Sequence, residues 1–268
     1  MRLALDHLTA VDSSPLELAD VARAAGCDAL CLFLHAMEVL PLMPQFDLVK
    51  DRSHRQHLRL RMDDLGLELD LAYPFTLGSR SEIAHFVPLL ECAAELDASL
   101  VNVLVYDRDP ARREDRFAAF CELAASFGLR VAVEFFPASQ VRSLAEAIAL
   151  VQPIGKPGLV GINADLLHLM RSGGTCEELA GAPAGTILYG QFADGPAYCD
   201  EADWEREASS ARMVGGEGDF DLTAFAKALP PGCPASVEIP RDWQIQAGVP
   251  RSERVAIAME GVRRALRR

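Results

Sequence analysis

Residues 130–137 read RVAVEFFP and residues 159–168 read LVGINADLLH. Each is a short apolar run closed by a carboxylate, Glu134 in the first and Asp165 in the second. The form recurs at 187–195, ILYGQFADG, which turns polar at Gln191, and at 235–240, ASVEIP, which turns polar at Glu238. Short β-rich runs bounded by turn residues are the mark of strands buried on both faces of a parallel sheet. Working back towards the amino terminus, four more such runs lie at 2–5 (RLAL), 28–33 (DALCLF), 67–72 (LELDLA) and 100–105 (LVNVLV).

Between the runs the apolar spacing changes to that of amphipathic helices. Segment 15–25 ends at Gly26, a residue suited to a helix C-terminus. Helices are also expected over 52–64, 80–97, 112–127, 142–151, 222–229 and 250–267, and a partly helical stretch over 166–180. Arg263, Arg264, Arg267 and Arg268 fall in the last turn of the final helix, where cations complement the helix dipole. Eight strands with crossover connections predict an α/β fold, a single (β/α)8 TIM barrel domain over residues 1–268. The competing doubly wound sheet gains no support, because no GxGxxG follows the first strand. The 268 residues suit a barrel, which typically needs roughly 250.

Composition narrows the function. Half of the residues are hydrophobic, enough for a large core. The net charge of −13 argues against a nucleic-acid binder and against an anionic membrane surface. It permits a cluster of carboxylates around a cation. The seven Cys are odd in number and none has CxxC spacing, which points to free thiols in a reducing cytoplasm rather than a disulfide framework. No signal-peptide core follows Met1, and no run reaches the ~18 apolar residues of a membrane helix.

In a barrel, reactive groups sit at the C-terminal ends of the strands. Glu134, Asp165, Gln191 and Glu238 close four consecutive strands, so a barrel would bring them to one point. Singly, a strand-end carboxylate caps the next helix or pairs with an Arg. Together, three carboxylates and an amide repel unless a cation balances them, and hard oxygen donors favour Mn2+ or Mg2+, with Co2+ as a further candidate.

VAVEFFP, the Asp165-x-x-His168 pair, QFADG, RMVGGEGDFD (residues 212–221) and SVEIP, in this order and spacing, resemble the xylose isomerase-like TIM-barrel superfamily. That superfamily includes sugar epimerases, hydroxypyruvate isomerase, inosose dehydratase and 3-dehydroshikimate dehydratase. The resemblance is strongest over about 130 to 240. It implies one divalent metal held by Glu134, Asp165, Gln191 and Glu238, with His168 and Arg212 in contact with a small-molecule substrate. It implies a supporting role for Asp194 and a tight turn at Gly215, Gly216 and Gly218. Many isomerases of the superfamily carry His where this chain has Gln191. Gln there resembles the 3-dehydroshikimate dehydratase branch, yet Phe136 stands where some of that branch have His. Phe135 and Phe136 suggest an apolar wall. The superfamily often forms dimers or tetramers.

Other polar residues near strand ends, His7, His35, Tyr73, Tyr106 and Arg108, are further pocket candidates. Arg206, Arg212 and Arg241 are candidates for an anionic group, because a guanidinium grips carboxylate or phosphate with two parallel donors. The 195–220 segment, with Trp204 and Arg206, reads as a lid. The expected chemistry is isomerase or epimerase action on a sugar-like or hydroxy-ketone substrate. It runs through a metal-stabilised enediolate, with Glu134 and Glu238 as acid and base and His168 assisting. The alternative is a dehydratase that eliminates water; a remoter one is a non-catalytic binding protein on the same barrel. A three-zinc DNA-repair endonuclease is disfavoured by the charge and by only six His.

Overall fold

The computed structural model describes residues 1–267. Arg268, expected in the last helical turn, lies outside the described residues. Eight parallel strands close into a barrel in sequence order. They are β1 (Leu3–Asp6), β2 (Ala29–Phe33), β3 (Glu68–Leu77), β4 (Ala98–Val105), β5 (Arg130–Glu134), β6 (Val160–Asp165), β7 (Ile187–Phe192) and β8 (Ala235–Val237). The outer layer holds α1 (Pro15–Ala24), α2 (Arg52–Leu65), α3 (Val87–Glu95), α4 (Pro110–Ser126), α5 (Leu144–Val151), α6 (Leu166–Arg171) and α7 (Cys176–Ala180). It is completed by α8 (Trp204–Ser210), α9 (Leu222–Ala228), α10 (Asp242–Gln246) and α11 (Arg251–Leu266).

Local chemistry starts the helices where the chain leaves a strand. Ser14 caps α1, Glu17 returns the bond to the Ser14 backbone, and Pro15 takes a first-turn position where an N–H is not needed. Asp51, Asp109, Ser143, Asp165, Thr175 and Asp221 cap six further helices with their side chains. The apolar faces of strands and helices meet in a continuous core that includes Leu5, Leu32, Phe75, Val103, Phe120 and Phe225.

All eight strands expected from the sequence form. β3 runs on to Leu77, beyond the expected 72, and its register on β4 shifts between Ala72 and Phe75. Pro74 lies at that shift; it has no N–H for the ladder, so the strand bulges past it and continues. β8 ends at Val237, shorter than expected. Its exit is still fixed: the Glu238 N–H donates to Phe192 O (3.0 Å), and Thr9 Oγ1 donates to Val237 O (2.8 Å) while accepting from Ile239 N–H (2.8 Å). The segment 80–97 splits into a 3-10 turn and α3, and the lid segment contains α8. Cysteines 27, 31, 92, 121, 176, 199 and 233 are all free thiols. Among the described residues, no helix is long and apolar enough to cross a membrane.

Candidate active site

Parallel registry sets the site. Glu134 on β5 pairs with Asn163 on β6, and Asp165 on β6 pairs with Gln191 on β7. The side chains at this level converge at the C-terminal mouth of the barrel on a cavity of about 530 Å3. Glu134, His168, Gln191, Arg212 and Glu238 line it, with Phe136 and Arg206. Asp165 lies fully buried beneath Arg212, whose Nη1 approaches its Oδ2 at 2.5 Å. The other end of the guanidinium, Nη2, reaches Glu238 Oε1 at 2.7 Å. His168 Nε2 stands 3.3 Å from Glu134 Oε1. One oxygen each of Glu134 and Asp165 and one His168 ring nitrogen lie within 4.8 Å of one another.

A belt of amides joins the two glutamates. Asn163 Nδ2 donates to Asn102 Oδ1 at 3.2 Å and also to Gln191 Oε1. With their oxygens so engaged, both flanking amides turn their NH2 groups outward. Asn102 Nδ2 donates to Glu134 Oε2 at 2.5 Å, and Gln191 Nε2 donates to Glu238 Oε2 and, at 3.2 Å, to Asp6 Oδ2. Asp6 Oδ1 accepts from the Tyr73 hydroxyl at 2.6 Å. Asp6, Asn102 and Asn163 are participants that the sequence reading missed. The signal was present: each is a polar residue within or closing an otherwise apolar strand.

The charges do not balance. Four buried carboxylates, of Asp6, Glu134, Asp165 and Glu238, face one buried guanidinium. Burial pushes the Asp6 carboxyl up to about 7 and holds Glu238 well above the usual range, although Arg212 opposes the latter shift. Burial also acts on Asp165, but Arg212 and then His168 overcome it and hold that carboxyl below its ordinary value. Such a site takes up protons or a cation. Its oxygen-rich donors, with one imidazole, fit a hard or borderline divalent ion. The orientation of Gln191 differs from that expected of a ligand. Its oxygen is occupied by Asn163 and its NH2 faces the carboxylates, so its amide must turn to ligate a metal. Asn163 Oδ1, buried and without a partner, is the one atom of the belt left unsatisfied.

A sequence profile described as xylose isomerase-like TIM barrel matches residues 19–266. The chain belongs to this family. None of the curated proteins matches it. Among solved structures, the IolI protein with a bound zinc atom is similar over 99% of this chain and 98% of that one, at 19% identity and TM-score 0.78. The probable 3-DHS dehydratase AsbF from Bacillus anthracis is similar over 97% and 98%, at 15% identity and TM-score 0.76. D-psicose 3-epimerase, crystallised in the presence of D-fructose, is similar over 99% of each chain, at 14% identity and TM-score 0.76. At these identities the likeness is one of fold.

On the family's barrel, the remaining expected residues fall as follows. Phe136 packs on His168 with ring centroids 4.6 Å apart and lines the cavity. Arg206 stands at the rim, exposed, with Nε 3.1 Å from Asp203 Oδ1. His7 is a correction: it does not line the cavity. Its ring is fully buried, Nε2 hydrogen-bonds Ser13 O at 3.1 Å, Nδ1 accepts from Phe33 N–H at 3.4 Å, and Phe46 stacks on it. Both nitrogens are occupied by backbone, which leaves none for a substrate. Tyr73 and Tyr106 line the cavity. Arg241 stacks on Trp243 and pairs with Glu217.

Asp194 organises the lid from within. Its carboxylate accepts N–H bonds from Gly195 (2.8 Å), Gly216 (2.8 Å), Gly218 (3.1 Å) and Phe220 (3.0 Å). Its own backbone pairs with Met213, next to Arg212. Gly218 makes this approach possible, since a Cβ there would lie 2.3 Å from Gly195 O and 2.5 Å from the Asp194 carboxylate.

Proposed function

We propose that this chain is a divalent-metal-dependent isomerase or epimerase of a hydroxy-ketone, acting by proton transfer between Glu134, Glu238 and a carbon beside the carbonyl. The observation that carries this reading is the pair of buried glutamates lining one cavity, each held by its own amide and its own basic group. Glu134 has Asn102 and His168, and Glu238 has Gln191 and Arg212. Glu134, Asp165 and Glu238 would hold the metal, with His168 or a turned Gln191 completing the set. When bound, the ion would acidify the carbon next to the carbonyl and stabilise the charge that develops on oxygen.

Each glutamate has a distinct task in this reading. The amide belt fixes the rotamers of both carboxylates, so that an oxygen of each can face the substrate. One removes a proton and the other returns it to the opposite face, which inverts the centre; return to the neighbouring carbon exchanges ketose and aldose. A positioned carboxylate contributes on the order of 10²–10⁴ in rate. Arg212 keeps its charge between Asp165 and Glu238 and is placed to bind a substrate oxygen. Incubating the metal-loaded protein in D2O with a panel of ketoses tests the proposal. Deuterium appears beside the carbonyl of at least one ketose if it holds, and exchange with none refutes it.

Gln191 favours a second reading, a dehydratase. An amide in place of an imidazole matches the resemblance to the 3-dehydroshikimate dehydratase branch, and AsbF shares the fold. Here the second carboxylic acid would protonate a departing hydroxyl instead of returning the proton to carbon. Formation of the aromatic product from 3-dehydroshikimate separates the two.

A further inference from the structure

The cavity has two unlike halves. Its floor is the charged cluster. The wall above β1 to β4 carries Leu8, Phe33, Met37, Val39, Leu40 and Leu104. The Tyr73 hydroxyl, which could have made this wall polar, is committed to Asp6, and the Tyr73 ring edge packs on Phe33 at 4.3 Å between centroids. Polar groups of the upper cavity stand on α8, with Glu205, Arg206 and Ser209, and at two points beside the apolar wall, Thr76 on β3 and Tyr106 just after β4. Arg206 is paired with Asp203, and the Ser209 hydroxyl donates to Glu205 O.

The apolar wall is built rather than incidental. Met37, Val39 and Leu40 lie on the loop between β2 and α2, which is pinched at its neck by a bridge between His35 and Asp47. Ala36 N–H donates to Phe46 O and Leu48 N–H to Leu34 O, both at 2.9 Å. Turns from Leu40 to Met37 and from Met43 to Leu40 hold the loop tip. Met43 is buried beneath it. Val39 is nonetheless 78% exposed beside the cavity, an apolar side chain held at the mouth with nothing over it.

A polyhydroxylated chain laid along these apolar side chains would lose water from its hydroxyls and find few acceptors in exchange, since only the Thr76 and Tyr106 hydroxyls interrupt that side. An aromatic or alkyl group would instead be released from water there. We infer that the substrate is amphipathic: a hydroxy-carbonyl head on the charged floor and an apolar, ring-sized tail against the loop between β2 and α2. This rests on the proposed function for the head, while the tail subsite stands on the wall alone.

The test uses two open-chain hydroxy-ketones with the same head. One is 1-hydroxy-3-phenylpropan-2-one and the other is erythrulose, whose tail is a diol. Calorimetric titration of the Mn2+-loaded full chain should give a Kd at least ten-fold lower for the phenyl ketone. Val39→Asp and Leu40→Asp should each weaken its binding at least five-fold. Val39 is exposed enough to accept the charge without unfolding. Erythrulose binding as tightly, no binding of either ketone, or no loss in Val39→Asp would overturn the inference. Tight, Val39-dependent binding of the phenyl ketone without deuterium exchange beside its carbonyl would instead sink the proposed reaction and leave the tail subsite standing.

Discussion

At the residue scale two histidines that follow barrel strands, His7 and His168, show how one residue type divides its work. His168 faces Glu134 in the cavity; His7, one position after the carboxylate Asp6, faces backbone. Burial lowers the His7 imidazole from 6.5 to about 4. An unfolded chain takes up that proton near pH 6.5 and the folded chain resists it until about pH 4. The contribution to stability is therefore complete above pH 6.5 and is lost as pH falls to 4, roughly 3 kcal/mol in all. Asp6 acts in the opposite sense, because its raised carboxyl gains stability as pH falls from about 7. Subtraction separates them: urea midpoints of the metal-stripped wild type minus those of His7→Gln should slope downward between pH 6.5 and 4. A flat difference would contradict the buried, neutral ring. Glu134→Gln is the second residue-scale prediction. It removes a base while leaving an oxygen to accept from Asn102, and turnover should fall on the order of 10²–10⁴. Solvent-exchange rates measure this, and an unchanged rate removes Glu134 from the chemistry. Glu134, Asp165 and Glu238 could be found in the sequence because each closes an apolar run. Asp6, Asn102 and Asn163 were passed over because one polar residue in or beside a strand does not show which neighbour it meets. His7 was misplaced for the same reason: position after a strand does not give side-chain direction.

At the scale of elements, the lid between β7 and β8 hangs on one carboxylate. Asp194→Ala leaves four N–H groups around one vacated position, and the segment that carries Arg212 should loosen. We expect faster hydrogen exchange and proteolysis within 195–220 and a raised KM, with the barrel strands still protected. Gly218→Ala should do the same by collision, since its Cβ would meet Gly195 O and Asp194. Uniform protection in both variants would show that the lid is held elsewhere. The strands were legible because parallel strands buried on both faces are written in apolar residues. Departures arose where backbone and tertiary geometry decide: the bulge that carries β3 past Pro74, and α8, whose residues WEREASS have no long apolar face to announce it. The loop between β2 and α2 was equally silent, because its pinch at His35 and Asp47 depends on pairing across eleven intervening residues.

For the molecule as a whole, the excess of carboxylates over guanidinium at one end of the barrel predicts a link between cation and stability. A ligand at a hundred times its Kd adds about 2.7 kcal/mol, and each kcal/mol moves the midpoint of a chain this size by about 2–4 °C. Mn2+ added to chelator-treated protein should therefore raise Tm by at least about 5 °C. Glu238→Gln should cut that rise. No shift with Mn2+, Mg2+ or Co2+ would mean that protons, not metal, balance the site.

The bonds from Thr9 to both sides of Glu238 reach across 228 and 230 residues. They join the first strand's exit to the last strand's exit, and Asp6 and Glu238 meet the same Gln191 amide. During synthesis, seven strands are therefore made before the eighth can close the ring. A growing chain holds Glu134, Asp165 and Gln191 early, yet the fourth wall of the site arrives only when residue 238 has left the ribosome. Until then the nascent sheet has two open edges, between β7 and β1, that only β8 can fill. Any premature stop upstream of that strand yields not a weakened barrel but an open sheet with unpaired edges, a species for chaperones and proteases to handle.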